Sequence, residues 1–129
     1  MLPPLCIYHR HCPDGFAAAW VVRREFHGEV EFLPASYGDA PPDVTGRDVF
    51  IVDFSYSRHE LETMAAQSGC LTILDHHISA REAITDLPGS ITWFAPGLSG
   101  AMIAWRYFFN DQAAPQLLRH IEDRDLWLF

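Results

Sequence analysis

The sequence contains no lysine, and all nine of its basic residues are arginine. Because it also carries 17 acidic residues, its formal net charge is -8. This charge argues against broad electrostatic binding to a nucleic-acid backbone or an anionic membrane, so a long nucleic-acid duplex is not an expected partner. An anionic substrate would have to be held locally, and bound divalent cations would achieve this.

Long apolar runs are also missing, since no stretch approaches the roughly 18 residues that span a bilayer. The amino terminus, MLPPLCIYHR, lacks a basic segment followed by an apolar one, which a secretory signal requires. Cysteine occurs only at positions 6, 12 and 70, and this odd number indicates reduced thiols and not a disulfide framework. We therefore expect a cytoplasmic protein without membrane association.

What is present fits one globular domain over residues 1–129, with 49% hydrophobic and 20% charged residues. Short apolar segments predict strands at 5–8, 30–33, 49–52, 71–74 and 91–94. Helices are predicted from Gly15 to about 25, after the S-x-x-E box at Ser57, and at about 79–85, 100–109 and 115–122. This alternation predicts an α/β fold with a doubly wound, mostly parallel five-stranded sheet and helices on both faces.

Several predicted strands end in side chains that ligate metals or transfer protons. His9 follows the first strand, Asp53 the third, and Asp75, His76 and His77 the fourth. Parallel strands present their carboxyl ends at one edge, so we expect these side chains to converge there. Further carboxylates are available at Asp14, Asp123 and Asp125, and such oxygen-rich ligation with imidazoles suits Mn²⁺ or Mg²⁺ better than structural zinc.

Four segments in this order resemble the motifs of the DHH phosphoesterase superfamily, which includes RecJ-type exonucleases and nanoRNA and pAp phosphatases. The segments are YHRHCPDGFAAA from Tyr8, VDFS from Val52, LDHH from Leu74 and EDRDLW from Glu122. The resemblance implies a metal-dependent phosphoesterase that cleaves a nucleotide, a short oligonucleotide or another small phosphate ester. The nucleophile would be a metal-activated water, with no protein nucleophile required.

The resemblance also implies roles for individual residues. Two Mn²⁺ ions would be bound, with Mg²⁺ or another divalent cation as the alternative. Asp53 would bridge the two ions, His9 would ligate the first, and Asp14 and His76 would ligate the second. Asp123 is the preferred further ligand and Asp125 the alternative, while Asp75 would orient the cluster. His77 would face the phosphate, and His77 or His11 could pass a proton to the leaving oxygen.

Two features differ from the family pattern. Cys12 stands where the first motif usually has an aspartate, so a thiolate would replace a carboxylate at the first metal. The sequence ends at Phe129, where family members usually continue into a smaller domain that grips the substrate, so we expect that domain to be lacking here.

Other functions remain open at the level of sequence. One is a metal- or nucleotide-binding module that has lost catalysis, and another is a zinc protein that uses His9, His11 and Cys12. The expected partner in the leading hypothesis is a small phosphorylated substrate or short oligonucleotide, and a homodimer is left open as the assembly.

Overall fold

A computed structural model of the chain describes residues 2–126 and contains one five-stranded sheet. The strands are β1 (Leu5–His9), β2 (Glu31–Ala35), β3 (Asp48–Val52), β4 (Cys70–Asp75) and β5 (Ile91–Phe94). Their order across the sheet is β2-β1-β3-β4-β5, and every neighbouring pair is parallel. The predicted α/β fold is confirmed, and the described sheet is parallel throughout.

The described residues also form five α-helices, of which the first three lie between strands and the last two follow β5. They are α1 (Pro13–Glu25), α2 (Arg58–Gln67), α3 (Arg81–Ile84), α4 (Gly100–Phe109) and α5 (Gln116–Asp125), and a single 3₁₀ turn at Ile78–Ala80 precedes α3. The segment that we predicted as one helix at about 79–85 is therefore a 3₁₀ turn followed by a short α-helix. None of the helices in the described range is both long enough and apolar enough to cross a membrane.

Both faces of the sheet are covered, which explains the continuous apolar character of the central strands. In β3, Phe50 and Val52 belong to the hydrophobic cluster that contains residues of α1, α4 and α5. Val49 and Ile51 alternate with them and belong to the second cluster, with residues of α2 and α3. The two helical layers confirm the predicted doubly wound arrangement.

The boundaries follow local signals in most places. Ser57 and Glu60 form both halves of the capping box at α2, and the Ser99 hydroxyl accepts a hydrogen bond from the amide of Met102 at the start of α4. Our prediction that Gly15 begins the first helix is wrong by two residues. The helix begins at Pro13, because proline needs no amide partner in the first turn and its fixed φ suits a helix.

The strand order also indicates where a ligand would bind. The chain passes from β1 to β2 on one side and then returns to place β3 on the other side of β1. The connections that leave the carboxyl ends of β1 and β3 therefore diverge and leave a crevice between them, which is the usual ligand site in open α/β sheets.

Candidate metal centre

The crevice at the carboxyl edge of the sheet contains most of the predicted site residues. His9 is the last residue of β1, Asp53 directly follows β3, and Asp75 ends β4. His76 and His77 come next in the chain, while Asp14 lies in the first turn of α1 and Asp125 is the last residue of α5. Residues separated by more than a hundred positions are thus brought together by the parallel topology.

His76 lies at the centre of this arrangement. Its Nε2 atom is 2.9 Å from Oδ1 of Asp53 and 3.3 Å from Oδ2 of Asp14. Burial alone would lower the pKa of His76, but the hydrogen bonds and negative charges of Asp14 and Asp53 outweigh burial and raise this pKa to about 10. At neutral pH without a metal, the imidazolium would supply the positive charge that these carboxylates need.

Asp14 is fixed by the amino terminus of another helix. Its two carboxylate oxygens accept hydrogen bonds from the amides of Gly100 and Ala101, at 2.7 and 2.9 Å. A helix amino terminus stabilises an anion, because its first amides have no partner within the helix. Although burial opposes ionisation, hydrogen bonds from His76 and these two amides lower the pKa of Asp14 overall.

Asp53 is fully buried and adopts a left-handed backbone conformation with φ of 54°. This conformation ends β3 and is uncommon for a residue other than glycine, although aspartate tolerates it better than most. Burial raises the pKa of Asp53 to about 7, with hydrogen bonding from His76 opposing the rise and the charge of Asp14 adding to it. A buried carboxylate in this position favours a nearby cation.

His9 and Cys12 contact the other oxygen of Asp53. Nδ1 of His9 is 3.9 Å from Oδ2 of Asp53, and the Cys12 thiol donates to the same oxygen at 3.5 Å. Burial raises the pKa of Cys12 to about 11, so its sulfur is a thiol in the absence of a cation. The half-buried Cys12 side chain lies in the crevice, next to the position of the first metal that the family resemblance implies.

Asp75 orients His77. Oδ1 of Asp75 lies 2.8 Å from Nδ1 of His77 and also accepts a hydrogen bond from the amide of His76 at 2.8 Å. The bond to Asp75 raises the pKa of His77, against the opposing effect of burial. With Nδ1 engaged by Asp75, Nε2 of His77 lies 3.9 Å from Oδ1 of Asp53 and points toward the cluster.

The fourth motif contributes Asp125, although we preferred Asp123. Oδ2 of Asp125 is 3.7 Å from Nε2 of His76, and burial and the charge of Asp14 raise the pKa of Asp125. Asp123 is exposed and belongs to none of the metal-ligating groups found among residues 2–126. Two residues rotate an α-helix by about 200°, so Asp123 and Asp125 lie on nearly opposite sides of α5. Glu122 is engaged elsewhere, because its Oε2 accepts a hydrogen bond from the amide of Ser99 at 2.8 Å.

His11 is not brought into the cluster. It is exposed, has a positive φ of 56° and belongs to none of the described metal-ligating groups. It lines a cavity of about 560 Å³ together with His9 and Cys12, so it lies beside the centre without contributing to it. A ligand role for His11 in a zinc site finds no geometric support in the described residues.

The donor atoms fit bound cations. Three groups have ligand atoms within 4.8 Å of one another: His9, Cys12 and Asp53; Asp14, His76 and Asp125; and Asp53, Asp75, His76 and His77. Nδ1 of His9 and Oδ2 of Asp75 are buried, and neither has a hydrogen-bond partner within residues 2–126. A buried polar atom without a partner lowers the stability of the fold, and a bound cation would give Nδ1 of His9 a partner.

Sequence reasoning missed Tyr37. This residue follows β2 and is 54% exposed, with its ring centroid 5.2 Å from that of His9 and 4.9 Å from that of Phe54. Burial and the charges of Asp75 and Asp53 raise the pKa of Tyr37 to about 12, so its phenol remains a hydrogen-bond donor. The only signal in the sequence was its position after a predicted strand, in a segment that otherwise has the composition of a surface loop.

The chain is similar in sequence to one uncharacterized protein and in structure to another. No protein-family model matches the chain. The chain is 29% identical over 139 aligned positions to the uncharacterized protein R106 of Acanthamoeba polyphaga mimivirus, covering 95% of this chain and 33% of that protein. The crystal structure of an uncharacterized protein from Helicobacter pylori G27 is similar with a TM-score of 0.75 and 16% identity, covering 98% of this chain and 44% of the other. The second similarity supports the fold, and the chain spans less than half the length of either of these two proteins.

Proposed function

We propose that the protein is a phosphoesterase of the DHH type that binds two divalent cations, with Mn²⁺ the preferred ion. The observation that carries this proposal is the position of Asp53, whose two oxygens face different groups of ligands. Oδ2 faces His9 and Cys12, whereas Oδ1 faces His76, which also contacts Asp14 and Asp125. One carboxylate between two sets of ligands could be shared by a pair of cations in a two-metal site.

The first ion would be held by His9, Cys12 and Asp53, and the second by Asp53, Asp14, His76 and Asp125. Two bound divalent cations supply ionisation of a water and neutralisation of charge on a phosphate ester. His76 would give up its proton on metal binding, since a ligating imidazole must be neutral. The amides at the start of α4 keep the Asp14 carboxylate ionised and oriented toward the centre.

His77 is the residue best suited to handle the proton of the leaving group. Its side chain is 31% exposed, so it can be reached by a substrate, and Asp75 fixes its Nδ1 atom. Because Asp75 raises the pKa of His77, the imidazole holds a proton more readily near neutral pH, as a general acid must. The Tyr37 ring lies beside His77, with ring centroids 6.5 Å apart, and we propose that its hydroxyl donates a hydrogen bond to a phosphate oxygen.

We place this reaction in the cytoplasm, where the three free thiols of Cys6, Cys12 and Cys70 would stay reduced. The substrate is proposed to be a nucleotide, a short oligonucleotide or another small phosphate ester. Because the chain spans only part of its relatives, gripping of the substrate by further residues of a longer protein is compatible with this proposal.

A metal-binding protein without hydrolytic activity is the second candidate, and Cys12 favours it. A thiolate beside His9 is a softer ligand than carboxylate and shifts the first site toward zinc. Hydrolysis of bis(p-nitrophenyl) phosphate separates the two functions. We expect protein freed of metal to hydrolyse the ester only after Mn²⁺ is added, and Asp53→Asn to lose this activity. Tight metal binding without hydrolysis under any divalent cation would instead support the second candidate.

A further inference from the structure

A groove on the α1 side of β1 and β2 leads away from the metal centre. Its upper part is the cavity of about 560 Å³ beside His9, which is lined by Arg10, His11 and Phe16 among others. Its lower part is a cavity of about 260 Å³ lined by Trp20, Arg23 and Phe32. Tyr8 and Phe16 line both cavities, so the two meet at these side chains and form one groove.

The charge of this groove is opposite to that of the whole chain. Among the described residues, no acidic side chain lines either cavity, whereas two arginines and two histidines do. Neither Arg10 nor Arg23 forms a salt bridge within residues 2–126. On a chain with a net charge of -8, such a surface favours an anionic ligand locally.

Several aromatic side chains that line the groove are exposed or only partly buried. Phe16 is 69% exposed although it is a large apolar residue in the first turn of α1. Trp20 lies one helical turn further along α1 and is only partly buried. The Tyr8 and Phe32 rings form an edge-to-face pair beneath them, with centroids 6.4 Å apart. Exposed aromatic rings interleaved with basic groups are the pattern by which proteins hold single-stranded nucleic acid, because bases stack on the rings and the cations attract the phosphates.

We propose that this groove binds the nucleotides of a single-stranded oligonucleotide that lie beyond the phosphate at the metal centre. Phe16 stacks against a base, and Arg10 and Arg23 contact backbone phosphates on either side of it. The inference rests on the proposed phosphoesterase function and narrows its substrate to a chain of several nucleotides. It also assigns part of the substrate binding to this domain, independently of any further domain.

The kinetic test compares oligodeoxyadenylates of two, three and five nucleotides in the presence of Mn²⁺. In the wild type, we expect KM to fall as the substrate lengthens. Phe16→Ala should raise KM for the pentanucleotide about tenfold, Phe16→Tyr should restore it, and neither should change hydrolysis of bis(p-nitrophenyl) phosphate. Ile91→Ala is the matched control, since Ile91 is 47% exposed on the strand at the opposite edge of the sheet.

A binding test without hydrolysis uses a fluorescein-labelled pentanucleotide in EDTA, with anisotropy as the readout. Affinity should fall with salt, and Arg23→Gln should reduce the slope of log K against log salt by about 0.7, the contribution of one phosphate on a single strand. Arg119→Gln, an exposed arginine on α5, should leave the slope unchanged.

The outcomes separate the two proposals. If no ester is hydrolysed but pentanucleotide binding still depends on Phe16 and Arg23, the proposed oligonucleotide binding by the groove is supported and the proposed phosphoesterase function is wrong. Equal KM values for all substrate lengths, together with equal effects of Phe16→Ala and Ile91→Ala on binding, would contradict the proposal that the groove binds an oligonucleotide. It is also overturned if Phe16→Ala converts a dimer to a monomer in sedimentation without altering oligonucleotide binding, since the groove would then be an interface between copies.

Discussion

Nε2 of His76 lies 2.9 Å from Oδ1 of Asp53, and both side chains are buried at the edge of the sheet. Without a cation, a proton on His76 balances the charge of this carboxylate. A bound metal would replace that proton between the same two groups. Metal binding and protonation therefore compete at this pair, which makes the centre sensitive to pH.

The first prediction concerns the stability of the metal-free protein. The pKa of His76 is raised from 6.5 to about 10, so its stabilising effect is complete below pH 6.5 and is lost as the pH rises toward 10. His76→Gln should therefore lower the free energy of unfolding more at about pH 7 than at about pH 9.5, by roughly 1 kcal/mol or more. Urea denaturation in EDTA measures this difference. His59→Gln, at an exposed position on α2, is the control, and an equal loss at both pH values for His76→Gln would contradict the assignment.

The second prediction uses the close approach of α4 to Asp53. A Cβ atom on Gly100 would lie 2.6 Å from both Cβ and Oδ1 of Asp53, so Gly100→Ala must displace the carboxylate. We expect a loss of about 1–3 kcal/mol of stability from overpacking. Mn²⁺ affinity should fall roughly tenfold or more, measured by calorimetry. Gly97→Ala, in the loop before α4, has no neighbouring atom within 4 Å and should behave as wild type. Unchanged Mn²⁺ affinity in Gly100→Ala would mean that Asp53 is not a ligand.

The third prediction addresses Cys12. Its sulfur is 3.5 Å from Oδ2 of Asp53, so we expect it to become a thiolate ligand when a cation binds. Cys12→Asp should raise Mn²⁺ affinity and lower Zn²⁺ affinity, each by roughly tenfold, because carboxylate is the harder ligand. Competition titrations with the two metals give both values. If the substitution only destabilises the fold and leaves both affinities unchanged, the ligand role of Cys12 is wrong.

The fourth prediction distinguishes the two aspartates of α5. Asp125 lies 3.7 Å from His76, whereas Asp123 is exposed. Asp125→Asn should weaken binding of one of two Mn²⁺ ions roughly tenfold or more, while Asp123→Asn should have no effect. Calorimetry on the two variants decides between them, and the reverse result would restore the order that the sequence suggested.

The fold could be predicted because its signals are local. β5 and α4 lie where the sequence placed them, since Ser99 is an unambiguous cap and Ile91–Phe94 is a short apolar run. The alternation of strands and helices then implied that His9, Asp53 and Asp75 share one edge of the sheet. The first helix was predicted to begin at Gly15 and not at Pro13, although proline is the stronger signal for a first helical residue.

Other parts of the centre depend on contacts that a single sequence does not reveal. The Asp14 carboxylate is held by the amide of Gly100, 86 residues away, and no local pattern connects α1 to the start of α4. The choice between Asp123 and Asp125 depends on how α5 is rotated against its neighbours. Tyr37 lies in a loop whose composition predicts a surface turn, and only the folded chain brings its ring against His9.

The most direct test of the account is the rate of phosphodiester hydrolysis measured as Mn²⁺ is titrated into metal-free protein, with bound metal per chain determined in parallel. If Asp53 bridges two ions, the rate should remain near zero until the second ion binds and should then rise to its maximum at two ions per chain. Hydrolysis at full rate with one ion per chain, or in the presence of excess EDTA, would contradict the two-metal centre.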